Sequence, residues 1–128
     1  MTTTINLFRH ARNIKTFAAG DVIFAQGQPG DDMYIVLEGQ VAIQQGERLL
    51  ALVGPDEVIG ELALIDRGPR SASAIARTAC VLAPISERQF LFMVQQTPFF
   101  ALQVMRVLAE RLRATQNADT GRLRLETL

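Results

Sequence analysis

The sequence predicts a mainly β fold with helices: an antiparallel sandwich or barrel over about residues 15–86, followed by two C-terminal helices over about 87–116. Three observations carry this. Turn signals recur at short, regular intervals: Gly20-Asp21, Gly27-Gln28-Pro29-Gly30-Asp31, Glu38-Gly39, Gln45-Gly46, Gly54-Pro55-Asp56 and Gly68-Pro69. The segments between them are short, apolar and strand-sized. After Ser86 the apolar residues adopt helical spacing instead. With 128 residues, 48% of them hydrophobic, residues 1–128 suit one domain around one core.

Taken in order, Ile5, Leu7, Phe8 and Ile14 fit a short N-terminal helix that becomes extended near residue 14. Strands are then expected at Val22–Phe24, Met33–Leu37, Val41–Ile43, Leu49–Val53, Ala72–Ala76 and Cys80–Ile85. Ser86 is an N-cap for a helix bearing Phe90, Leu91 and Val94. Thr97-Pro98 restarts the helical pattern, with proline at the first helical position. Phe99, Leu102, Met105, Leu108 (or Ala109) and Leu112 form an apolar stripe expected to lie partly in the core. Val104 and Val107 lie off it, so one face can cover the barrel while another meets a partner copy over about 98–116 or lids a ligand. Glu110-Arg111-Leu112-Arg113 reads as a solvated face, and 117–128 as a frayed tail.

Composition narrows the function classes. Thirteen basic and thirteen acidic side chains cancel, which disfavours bulk nucleic-acid binding. Cys80 is the one cysteine, so no internal disulfide forms; it is expected to pack as a small apolar residue in a reducing cytoplasm. His10 is the one histidine, expected to be simply packed or exposed, and no cluster of metal ligands is apparent. No apolar run approaches the roughly 20 residues of a membrane span, and Met1–Asn6 lacks a signal-peptide layout. No nucleophile–base set stands out, so the expectation is a protein that is not an enzyme and uses no catalytic cofactor or metal.

One connection between strands is chemically distinctive. Val58 to Ala72 holds a turn's worth of helix between a Gly60-Glu61 start and a Pro69-Arg70-Ser71 end. A helix starting at Gly60 or Glu61 would aim free N–H groups and a partial positive charge at a ligand. Gly60, lacking a Cβ, allows close approach to the backbone. Arg70 brings a forked guanidinium suited to a phosphate diester, and Ser71 a hydroxyl donor. The Glu61 carboxylate suits a sugar hydroxyl rather than a phosphate. Together these describe a ribose-phosphate ligand. The plainer alternatives are an ordinary Glu61–Arg70 ion pair and a Ser71 hydroxyl bonded to nearby backbone.

Gly60-Glu61-Leu62-Ala63 and Pro69-Arg70-Ser71-Ala72 resemble the phosphate-binding cassette of cyclic nucleotide-binding domains, and Gly27 to Gly39 resembles that family's first turn and strand pair. The similarity spans about residues 7–116. Within the family, Thr78-Ala79-Cys80, Ile85-Ser86 and Arg111 to Thr115 are similar to the sensor domains of Crp/Fnr-like bacterial regulators. The resemblance implies a double-stranded β-helix (jelly-roll) barrel with a short N-terminal helix, a cassette helix and two C-terminal helices. It implies cyclic AMP, or alternatively cyclic GMP, as ligand. Gly60, Glu61, Leu62, Ala63, Arg70, Ser71 and Ala72 would line its site, with Glu61 on the ribose 2′-hydroxyl, Arg70 and Ser71 on the phosphate, and Thr115 on the base. A helix-end threonine is also commonly solvent-facing. The cassette is slightly shorter than in those regulators, and Gln116 stands where they carry a serine reaching across a dimer. The chain ends about a dozen residues after Thr115, so it is not expected to read a DNA groove by itself.

The expected function is therefore a sensor that passes ligand binding through its C-terminal helix to a homodimer partner or an unidentified protein effector. Two other classes compete. One is a constitutive interaction module of the same fold that takes no nucleotide; the other is a cupin-like metalloenzyme, which the single histidine disfavours.

Overall fold

The computed structural model describes residues 13–118, and the side chains of 114–118 are outside that description. The expected N-terminal helix with Ile5, Leu7, Phe8 and His10 lies outside the described residues, as does most of the expected tail. Strands β1 (Lys15–Phe17), β2 (Val22–Phe24), β3 (Met33–Glu38), β4 (Val41–Gln45), β5 (Arg48–Val53), β6 (Val58–Ile59), β7 (Ser73–Ala76) and β8 (Cys80–Ile85) form the β portion. They make two four-stranded sheets, ordered β1-β8-β3-β6 and β2-β7-β4-β5, with antiparallel pairing throughout. Except for the β4–β5 hairpin, successive strands alternate between the sheets, which is how a jelly-roll winds.

Strand β3 sits where two cores meet. Tyr34 and Val36 point between the sheets with Phe24, Val41, Val53, Ile59, Ala74, Ala76, Cys80 and Leu82. Met33, Ile35 and Leu37 point outward, under the helices, with Val58, Leu64, Ala83, Ile85, Phe100 and Val104. A strand covered on both faces has no polar alternation, so Met33 to Leu37 reads as one apolar run.

Three helices follow: α1 (Glu61–Asp66), α2 (Glu87–Gln96) and α3 (Phe99–Ala118). Ser86 caps α2 as expected, its hydroxyl accepting from Gln89 N at 3.2 Å while Gln89 Oε1 accepts from Ser86 N at 2.9 Å. Ser86→Ala removes the hydroxyl half of this box and keeps the backbone N–H that Gln89 Oε1 accepts from; it should cost about 1 kcal/mol and lower the melting temperature by roughly 4 °C, read by calorimetry. Pro98 has no N–H to continue α2, and α3 restarts with Phe100 N bonded to Thr97 O at 2.8 Å. No helix among the described residues is long and apolar enough to cross a membrane.

The faces of α3 differ from expectation. Phe100 and Val104 are buried, with Val107 and Leu108 partly so, and the Phe100 ring meets Phe90 at 5.6 Å. Of the expected stripe Leu108 alone packs on the core, while the rest turns outward: Phe99 is 41%, Leu102 39%, Met105 56% and Leu112 61% exposed. Both faces have apolar side chains at helical spacing, and periodicity cannot rank two such faces. Packing against Ile85 and Phe90 decides between them.

Candidate functional site

The cassette is built where β6 ends. Gly60 adopts a left-handed conformation (φ 75°), turning the chain from β6 into α1. There a Cβ would lie 2.7 Å from Arg70 Nη1 and 3.3 Å from the Phe24 ring, so this position requires glycine twice over. The next residue, Glu61, is 4% exposed. After α1 the chain turns back through Arg67, also left-handed (φ 59°), whose guanidinium grips Glu87 of α2 at 2.6 and 2.8 Å. That charged bond raises the Arg67 pKa above its ordinary value.

Arg70 then passes under the turn between β2 and β3. Its N–H donates to Gln28 O and its carbonyl accepts from Gly27 N, both at 2.8 Å. The side chain is 6% exposed, its Cζ lying 4.1 Å from the Phe24 ring centroid. Nη1 donates to Gly60 O at 3.2 Å, while the buried Nε has no hydrogen-bond partner. Burial lowers the Arg70 pKa from its ordinary value; Tyr34, Asp32, Asp31 and Glu61 pull in the opposite direction. A buried cation without a carboxylate in contact favours an anion brought from outside.

Gly60, Glu61, Leu62, Ala63, Arg70, Ser71 and Ala72 all line one cavity of about 430 Å³, within the size range of small-ligand pockets. The Ser71 carbonyl accepts from Gln45 Nε2 at 3.1 Å, which ties the cassette to β4. Phe24, Ile43, Leu50, Ala51, Leu108 and Leu112 supply an apolar wall. Glu61 and Arg70 are therefore not an isolated ion pair; they face a common space. Thr115 lies on α3 four positions after Arg111, and its side chain is outside the described residues.

Arg111 overturns one expectation. It was expected on a solvated face, yet it reaches the same cavity and donates through Nη1 to Glu61 Oε1 and Oε2 at 2.9 and 3.0 Å. Its Nη2 donates to Val58 O. The pair is well buried, at 24% side-chain exposure for Arg111 and 6% for Glu61. A usable signal was present: continuing the core-facing positions Phe100, Val104 and Val107 by four residues lands on Arg111. Both Glu61 oxygens keep acceptor capacity, since a carboxylate has about four lone-pair sites. The cavity thus brings together arginine cations, a hydroxyl acceptor and an apolar wall. That suits a ligand which is anionic, hydroxylated and planar-apolar in turn.

Comparison with known proteins identifies the family. The family model "Cyclic nucleotide-binding domain" matches residues 14–97. A CRP-like cAMP-activated global transcriptional regulator of Mycobacterium tuberculosis is 37% identical over 106 residues, 79% of this chain and 47% of that protein. The crystal structure of the Thermus thermophilus catabolite activator protein superposes with a TM-score of 0.77 at 32% identity, covering 97% of this chain and 59% of that one. A structure from a cyclic-GMP-dependent signalling pathway regulating bacterial phytopathogenesis gives a TM-score of 0.72 at 28% identity, covering 88% and 94%. The chain spans about half the length of the curated relatives it matches.

Proposed function

Because the chain belongs to the cyclic nucleotide-binding domain family, we propose that it is a receptor for a 3′,5′-cyclic nucleotide, cyclic AMP ahead of cyclic GMP, and not a catalyst. The observation that carries this is the shared cavity: buried Arg70 and buried Glu61 face it together, beside the left-handed Gly60. In the proposed pose Arg70 and the Ser71 hydroxyl hold the cyclic phosphate, and Glu61 accepts from the ribose 2′-hydroxyl. Leu62, Ala63 and Ala72 shape the cassette around them. The base lies along the wall of Ile43, Leu50, Leu108 and Leu112, with Thr115 as its polar contact. Cyclic AMP is placed first because of Thr115 and because the mycobacterial relative is named cAMP-activated.

Arg111 makes the same cavity a route to the C-terminal helix. A ligand that engages Glu61 alters the α1 side chain that accepts from Arg111 of α3, so arrangements of α3 with and without that bond would differ in affinity for it. Such a difference is what a ligand needs to shift a conformational equilibrium. The exposed Phe99, Leu102 and Met105 face of α3 is the proposed surface for a second copy or an effector, in the cytoplasm. That face also supports the second reading, a constitutive interaction module.

Thermal melts separate the two. Ligand at ten times Kd stabilises the native state by about 1.4 kcal/mol through mass action, a rise of roughly 5 °C for a domain of this size. Cyclic AMP should give that rise, cyclic GMP a smaller one, and the ring-opened 5′-monophosphate none. No shift with either cyclic nucleotide at millimolar concentration returns the function to the interaction module.

A further inference from the structure

We propose that Gly30 and Phe24 are positioning residues for Arg70, together forming a cradle that holds its guanidinium aimed before any ligand arrives. The inference rests on the reading of Arg70 as the phosphate ligand. Arginine has a long, rotamer-rich side chain, and immobilising it on binding costs affinity. Here the immobilisation is already built in. The Phe24 ring covers one face of the guanidinium, with Cζ 4.1 Å from its centroid. Gly60 O anchors Nη1 at 3.2 Å, and Nε remains unpartnered.

Gly30 stands directly against the same guanidinium, and its backbone shows why it is glycine. Gly20, Gly27, Gly39, Gly46 and Gly60 have positive φ, but Gly30 does not. A left-handed backbone therefore does not explain it. A side chain does: a Cβ on Gly30 would lie 2.6 Å from Arg70 Cζ and 2.7 Å from Nη2. The two backbones are tied together close by. The turn carrying Gly30 is bonded to Arg70's own backbone at both Gly27 and Gln28, each at 2.8 Å. A methyl group at position 30 therefore pushes the guanidinium out of the cradle and leaves the fold in place. Phe24 carries the packing half of the task and Gly30 the clearance.

The test uses the 15N-labelled chain, calorimetric titration with cyclic AMP, and the Arg70 Nε–H resonance identified by its loss in Arg70→Ala. In the unliganded protein that resonance should be shifted upfield by the Phe24 ring and exchange slowly with water. Gly30→Ala should return it toward the positions of exposed arginines and weaken cyclic AMP at least tenfold, with the melting temperature held within about 2 °C. Adding Gly30→Ala to Arg70→Ala should cost less than twofold more, because the displaced group is already gone. An unmoved resonance in Gly30→Ala, or a further tenfold loss in the double variant, overturns the cradle. A wild-type chain that takes up no cyclic nucleotide overturns the receptor reading instead, and the resonance still decides the cradle by itself.

Discussion

Arg70→Ala should weaken cyclic AMP binding by about a hundredfold while leaving the unliganded protein as stable as before. The guanidinium is asked for two hydrogen bonds to an anionic phosphate, and each such bond contributes about 1.5–3 kcal/mol net; the lower end of that range, twice over, gives the stated loss. The unliganded protein behaves differently because Arg70 is a buried cation whose pKa is lowered by burial. Its desolvation is offset by one backbone hydrogen bond and the Phe24 ring, not by a carboxylate in contact. Removing it relieves that cost, so the melting temperature without ligand should stay within a few degrees and the ligand-induced rise should vanish. An affinity within threefold of wild type, measured by calorimetry, is the result that rejects Arg70 as the phosphate ligand.

The second large effect lies in the Glu61–Arg111 pair and has the opposite signature. Arg111→Met leaves the Glu61 carboxylate buried without its counter-charge. Breaking one side of a buried pair costs about 3–5 kcal/mol in favourable cases; with Arg111 at 24% side-chain exposure, about 2–3 kcal/mol is expected. That lowers the melting temperature by roughly 10 °C. Glu61→Gln on top of Arg111→Met should recover most of it, because no unpaired charge remains. Affinity should follow its own course. With Arg111 gone, the bare Glu61 charge faces the same cavity as the incoming phosphate, so binding weakens by repulsion and recovers only in part in the double variant. Additive costs in this cycle would mean that the two side chains act independently, against the 2.9 and 3.0 Å contacts.

The strands were legible because each is bracketed by turn chemistry that is local in the chain. Val22–Phe24, Met33–Glu38 and Cys80–Ile85 come within a residue of expectation, and the helix starts at Ser86 and Thr97-Pro98 are readable from caps alone. The two-residue strand β6 was not separable from the cassette, since Val58 and Ile59 become a strand only by pairing with Ile35 and Tyr34. The cassette residues were legible as a set because their chemistry is concentrated in one short stretch. Arg111 was not: it lies fifty residues from Glu61, and an arginine among charged neighbours on a helix looks the same whether it meets water or a buried carboxylate.

By itself, then, the sequence determined an antiparallel sandwich or barrel, the starts of its two C-terminal helices and the short stretch that carries Gly60, Glu61, Arg70 and Ser71, while the jelly-roll winding was implied by the family resemblance. Turn propensity, capping and side-chain chemistry act over a few residues, and a linear reading reaches that far. Tertiary structure alone decided which apolar face of α3 enters the core, that Arg111 closes on Glu61, and that Phe24 and Gly30 hold Arg70. Those outcomes depend on which surfaces exclude water together, and residues from distant parts of the chain contribute to each of them.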